Sequence, residues 1–254
     1  MHLRTDELRA LVEQYLAELA LTAELGTLEP AMRHALGGKR VRPVLCLATG
    51  AAIGARVENL LPAAAAVELV HSFSLVHDDL PSLDDDRERR GAPSVWAQYG
   101  EATAILAGDA LLAEAIRLAL TYPTAAVARE LIEATLAMIG GQQLDLEGGA
   151  PLDRLHSLKT GALFSASVMC GLWAAEVPVS EHAPWRSFAG ELGLLFQIVD
   201  DVLDGDGYVL EVGEERARSL ADEAAERAQA RLAEIDADTS VLEEIVGELA
   251  VRTA

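Results

Sequence analysis

The chain has little cysteine, few basic side chains and no long uncharged run, and each scarcity closes off a class of protein. Its two cysteines, Cys46 and Cys170, both lie in apolar stretches. Neither has a metal-ligand spacing, and two thiols make no disulfide framework, so both are expected as buried thiols in a reducing compartment. Among 254 residues, 20 Lys and Arg stand against 41 Asp and Glu, a net charge of −21. That balance argues against a nucleic-acid backbone as partner, which needs clustered cations, and against anionic lipid. The longest uncharged run, residues 160–175, has 16 residues, short of the roughly 20 apolar residues of a membrane span. The first 20 residues carry charges throughout, without the apolar block of a signal peptide. These features predict a cytoplasmic protein with no nucleic-acid partner and no membrane span.

What is present is apolar and helical. Hydrophobic residues make up 51% of the chain, enough for a sizeable core, and too many for a disordered chain. Leu8, Leu11, Val12, Tyr15, Leu16 and Leu19 recur at the three- and four-residue spacing of an amphipathic helix. Segments 63–76, 102–120, 126–139, 161–174 and 187–199 are apolar on more than one side, as helices in the middle of a bundle are. Breaks are predicted at Gly37-Gly38, Pro62, Pro81, Gly91 to Pro93, Pro123, Gly148 to Pro151, Pro178, Pro184 and Gly205 to Gly207. No run alternates with a period of two, no linker divides the chain, and no repeat appears. The stretch after Gly207 reads as a charged, solvated amphipathic helix followed by a short terminal one. The prediction is one all-α domain of about ten helices over residues 1–254.

Two acidic clusters end two of the apolar helices. One runs from His77 to Asp86 and includes Asp78, Asp79, Asp84 and Asp85; the other holds Asp200, Asp201 and Asp204. Asp200 and Asp204 are one helical turn apart on a common face, and Pro81 can break the first helix so that Asp84 returns beside Asp78. One such cluster is ordinarily a solvated helix end. Two of them bring like charges together at a cost, which a hard divalent cation relieves; carboxylates, water and substrate phosphates suit Mg²⁺.

The scarce cations stand close to these clusters. Lys39 and Arg42 follow the Gly37-Gly38 pair, Arg89 and Arg90 follow the first acidic cluster, and Lys159-Thr160-Gly161 opens another apolar helix. Cations beside a carboxylate–metal site suggest a polyanion, and a diphosphate fits.

In order and spacing, GGKRVRP, LVHSFSLVHDDLPSLDDDRERRG, KTGALF and FQIVDDVLD resemble the trans-polyprenyl diphosphate synthases, the family of the farnesyl and geranylgeranyl diphosphate synthases. The resemblance runs from about Leu28 to Asp206 and resumes weakly near Tyr208. It implies an all-α fold around a central cavity, a homodimer, and head-to-tail condensation of an allylic diphosphate with isopentenyl diphosphate. It assigns Asp78, Asp84, Asp200 and Asp204 to Mg²⁺, three ions with substrate bound, with Asp79 and Asp201 supporting. It assigns Arg89 and Lys159 to the allylic diphosphate, and Lys39, Arg42, His71 and Arg90 to isopentenyl diphosphate. Thr160 and Gln197 would face the allylic cation. Gln142 and Asp145, in a GGQxLD-like segment, are candidates for the pocket wall.

In this family a bulky residue before the first Asp-rich motif blocks the growing tail. Phe73, five residues before Asp78, therefore predicts a short product, C15, with C20 the competitor. The chain also departs from the pattern. About twenty residues of a Gly/Lys-rich closing loop are absent after Asp206, and the segment from Asp145 to Lys159 is short. Either the lid is lacking or mobile residues are left out of the sequence as written, and the intact flanking patterns favour the second. A class I terpene cyclase is the nearest rival, disfavoured by the second diphosphate site. A non-catalytic regulatory subunit is the other, disfavoured by two intact acidic motifs.

Overall fold

The computed structural model of the chain describes residues 3–251. They form helices α1 (Thr5–Glu18), α2 (Glu29–Ala35), α3 (Val41–Ala52) and α4 (Val57–Asp78), followed by the strands β1 (Glu88–Arg89) and β2 (Ala92–Pro93). Then come α5 (Val95–Tyr99), α6 (Glu101–Ala119), α7 (Ala126–Glu147), α8 (Leu152–His156) and α9 (Ala162–Ala174). The chain closes with α10 (His182–Asp204), α11 (Tyr208–Val212), α12 (Glu214–Ala233) and α13 (Ser240–Val251). Nine of these helices have twelve residues or more, in line with the all-α reading.

Helix α4 is the centre. It is apolar around its circumference, and Leu60, Ala63, Ala64, Ala66, Val67, Leu69 and Val70 are fully buried, with α1, α3, α6 and α9 packed about it. It is long and apolar enough by composition to cross a membrane, yet 67% of its most apolar stretch is buried by its neighbours. Close approach is purchased with small residues. A Cβ on Gly171 of α9 would come within 2.5 Å of the Cys46 carbonyl of α3. Cys46 and Cys170 are free and buried there. The charged helix α12 buries Ala217, Ala221, Ala224, Ala228 and Leu232, packs against α10, and exposes Glu214, Glu215, Arg216, Asp222, Glu226 and Arg227.

Three expectations are corrected. Pro62 lies in the second turn of α4 yet does not break it, because the Tyr122 hydroxyl bridges the opened backbone, accepting from the Ala63 N–H at 3.1 Å and donating to the Asn59 carbonyl at 2.8 Å. Pro184 lies in the first turn of α10, where proline is tolerated. The predicted helix 126–139 continues through Gly140-Gly141 to Glu147. The structure also adds a hairpin that alternation could not reveal, since each strand is two residues long. Glu88 pairs antiparallel with Pro93 and Arg89 with Ala92. Arg90 and Gly91 between them have φ of 57° and 75°, the pair of positive values that a tight two-residue hairpin turn requires.

From α10 the chain reaches α11 through Gly205, Asp206 and Gly207 alone, with Gly205 in the left-handed region at φ 73°.

Candidate active site

Two helix faces and three connections surround a cavity of about 750 Å³. From α4 come Glu68, His71, Ser74, Leu75 and Asp78, a stripe with helical spacing. From α10 come Phe196, Val199, Asp200, Leu203 and Asp204, again one face. Lys39 and Arg42 enter from the α2–α3 connection and the start of α3, and Arg89 and Arg90 from the hairpin. Lys159 and Thr160 stand on a single π-helical turn, Ser157–Gly161, between α8 and α9. Acids and bases are thus drawn from distant parts of the chain into one chamber, with Met138, Leu163 and Phe196 as apolar wall.

Local structure explains the aim of each group. The positive-φ turn carries Arg90 back to the glycine loop. There its guanidinium donates to the Gly37 carbonyl and lies 3.4 Å from His71 Nε2. Arg42 approaches the same His71 nitrogen at 3.5 Å and lies over the Phe164 ring, 4.5 Å from its centroid. Burial, and then the charges of Arg42 and Arg90, hold the His71 pKa well below the usual imidazole range. His71 is therefore a neutral acceptor between two cations. Burial lowers the Arg42 guanidinium to about 10, with Glu68 and Asp200 opposing that shift.

The carboxylates divide into two groups. Asp78 is pushed up to about 6, first by burial and then, among other charges, by Asp84. Asp200 is raised by burial and by Asp204 and Asp201. These are acids held close without enough compensating charge. Asp84 lies at the exposed rim, where the turn through Pro81 lets its N–H donate to the Asp78 carbonyl at 2.9 Å. Among the described residues no three Asp, Glu, His or Cys side chains converge as a preformed cage. That donor set suits Mg²⁺, which takes one or two carboxylates and completes its octahedron with water and phosphate oxygens.

Other candidates sit outside the chamber. Asp79 is buried and accepts from Arg89 Nε at 2.9 Å, and Arg89 also bonds Asp86 at 2.7 Å. Asp201, a residue on from Asp200 and so rotated by about 100°, is buried among α8, α10 and α11. It accepts from Gln197 Nε2 at 2.7 Å and from the Tyr208 N–H at 2.9 Å. The Gln197 nitrogen is thereby committed to its own helix, and Gln197 is not among the residues that line the chamber. Phe73 lies on the face of α4 opposite the His71 stripe, and its ring packs edge-on to His77 at 5.2 Å. It is absent from the cavity wall, so Phe73 does not stand where it would block a growing tail in this chamber. Asp145 holds Lys159 Nζ at 2.6 Å, while both amide atoms of Gln142 are buried without a partner.

Sequence reading passed over Glu68, Met138 and Arg40. For Glu68 the signal was there: a lone carboxylate inside the apolar segment 63–76.

The polyprenyl synthetase family model matches residues 26–226. The chain is a member of the polyprenyl synthetase family. Over 193 residues it is 42% identical to the geranylgeranyl diphosphate synthase of Cyanophora paradoxa, covering 68% of this chain and 64% of that protein. The chain therefore spans somewhat less than two thirds of that relative's length. It is 40% identical to the farnesyl diphosphate synthase of Escherichia coli strain K12, covering 82% of this chain and 83% of that one. That match runs over 248 positions against about 208 residues here, 82% of 254, so members of this family can differ by some forty positions inside the shared fold. The crystal structure of the geranyltransferase from Legionella pneumophila superposes with a TM-score of 0.88 at 33% identity, covering 98% of this chain and 96% of that one.

Proposed function

We propose that the protein is a Mg²⁺-dependent prenyltransferase that condenses isopentenyl diphosphate with an allylic diphosphate to give a short-chain trans-polyprenyl diphosphate, C15 or C20. The observation that carries this reading is the division of the chamber. Asp78 on α4 and Asp200 and Asp204 on α10 line the chamber together with Lys39 and with Arg42 and Arg90, which flank His71, and we read these acids and these cations as two charged regions. Two diphosphates need two such regions. A terpene cyclase has use for one.

In this reading Lys159 and Arg89 orient the allylic diphosphate, and Asp78, Asp200 and Asp204, with Asp84 at the rim, hold Mg²⁺. When bound, the metal supplies positive charge to the departing diphosphate. The allylic C–O bond breaks and its electron pair leaves with the diphosphate. Leu75, Met138, Leu163, Phe196 and Val199 keep water from the cation, and Thr160 offers its oxygen. The double bond of isopentenyl diphosphate, anchored by the second region, attacks the cation. A proton then passes to the departed diphosphate, and no side chain serves as nucleophile. Buried free thiols support a cytoplasmic setting.

The reading also includes a homodimer. Ile105 and Leu106 on α6 and Ile132, Leu136 and Ile139 on α7 are 44–64% exposed, more apolar surface than a solitary bundle needs.

The test is incubation with Mg²⁺, isopentenyl diphosphate and, separately, dimethylallyl, geranyl and farnesyl diphosphate, followed by sizing of the dephosphorylated alcohols. A C15 or C20 alcohol that requires Mg²⁺ is the expected outcome. No elongation, with an intact mass equal to these 254 residues, would favour a regulatory subunit lacking its lid.

A further inference from the structure

We propose that Arg40 and Glu68 are a buried positioning pair that sets the shape of the cationic pocket without serving as its ligands, an inference that rests on the two-region reading above. Arg40 is 4% exposed although it belongs to a connecting loop, and it has a left-handed φ of 56°, uncommon for a residue with a side chain. Every one of its donors is used. Nε donates to Glu13 Oε1 at 2.9 Å, and Nη1 to Glu68 Oε1 at 2.6 Å and to the Gly37 carbonyl at 3.0 Å. Nη2 donates to Glu13 Oε2 at 3.1 Å and to the Leu36 carbonyl at 3.0 Å. One guanidinium therefore ties α1, the end of α2 and α4 to the loop that carries Lys39 on one side of it and Arg42 on the other.

Glu68 is the more telling partner. A carboxylate 2% exposed in the wall of a site for anions repels the ligand it borders, so electrostatics alone would remove it. A buried ion pair is also a poor source of stability, since the desolvation cost consumes most of the attraction. Neither charge nor stability accounts for the pair. What it fixes is direction. Gly37, held by Arg40, accepts from Arg90 as well, so Arg40 sets the loop against which Arg90 and, through it, His71 are aligned. Gly38 completes the arrangement: at φ 118° it leaves room that a Cβ would take from the Arg90 guanidinium.

Two accounts of Glu68 predict opposite results for Glu68→Gln. If the residue acts only through its charge, removing it strengthens binding of an anion. If it positions the loop, binding weakens. The probe is inorganic diphosphate without metal, followed by calorimetry, alongside separate KM values for the two substrates. We expect Glu68→Gln and Arg40→Lys to weaken diphosphate binding and raise the KM for isopentenyl diphosphate by about tenfold, with the allylic KM within twofold. The double variant Arg40→Met/Glu68→Met is expected to melt near the wild type yet keep the defect. Glu13→Gln, at the exposed end of the network, gives a smaller change of the same kind should Arg40 variants not fold. Tighter diphosphate binding by Glu68→Gln, or an equal rise in both KM values, overturns the proposal. If the wild type elongates nothing, the functional reading falls, while calorimetry still decides whether the pair shapes an anion pocket.

Discussion

Asp78 shows how burial and function pull a single residue apart. Its carboxyl lies at about 6 against an ordinary 3.8, chiefly through burial. In the metal-free protein the folded state therefore holds this proton more tightly than the unfolded chain does. Folding is favoured by that difference below pH 4, and the benefit is lost as pH rises from about 4 through 6. Asp78→Asn removes the ionisation. In EDTA at pH 7 the variant is expected to melt roughly 4 °C above the wild type, with the gap shrinking towards pH 4. Added Mg²⁺ and diphosphate should reverse the order, stabilising the wild type alone. Thermal unfolding across pH in both conditions checks this, and an unchanged gap at pH 4 would contradict it. The same residue-scale view separates what sequence reading reaches from what it does not. Asp78, Asp200 and Asp204 follow from motif and helical spacing. Asp201 does not, because α8 and α11 decide its surroundings and neither neighbour is visible in the local sequence, whereas the Gln197–Asp201 bond is an ordinary four-residue spacing on one helix.

At the scale of elements, the π-helical turn Ser157–Gly161 depends on a glycine of another helix. A Cβ on Gly141 of α7 would stand 2.7 Å from the Lys159 backbone nitrogen and 3.0 Å from its Cα. Backbone cannot swing aside as a side-chain tip can. Gly141→Ala is therefore expected to displace Lys159 and Thr160, costing about 1–3 kcal/mol of stability and roughly 10–100-fold in kcat. Gly140 has open space at the same position, so Gly140→Ala serves as control and stabilises α7 by about 0.5–1 kcal/mol. Steady-state kinetics and melting of the two variants make the comparison, and equal effects would remove the argument. The long helices were legible because their apolar residues repeat with a strong period over many turns. Their ends were less so: Pro62 and Gly140-Gly141 look like punctuation in the chain, but a helix already held on several sides carries them. The hairpin was beyond reach, since two residues per strand carry no period, and its signal was confined to the Arg90-Gly91 turn.

For the whole molecule, the prediction concerns the uncovered apolar row on α6 and α7. Leu136, 64% exposed, is near its middle. Leu136→Glu is expected to halve the mass measured by light scattering after gel filtration, with the helical signal unchanged. A wild type that already runs as a monomer would refute the homodimer. The bundle and the joining of two acidic motifs with scarce cations in one chamber were available from composition and motif together. The pairing of faces was not, because it depends on which helices meet.

The central place of α4 has a consequence for how the protein is made. Its 22 residues leave the ribosome well before the helices that cover them. The last of its immediate neighbours, α9, begins at Ala162, 84 residues beyond Asp78. At about 5–20 residues per second, the nascent chain holds that apolar rod without its final cover for some 4–17 s. During that interval it has the length and hydropathy by which a membrane segment is recognised. Glu68, buried against Arg40 in the finished protein, is then a bare charge in the middle of the rod, and a charge at that depth opposes insertion into lipid.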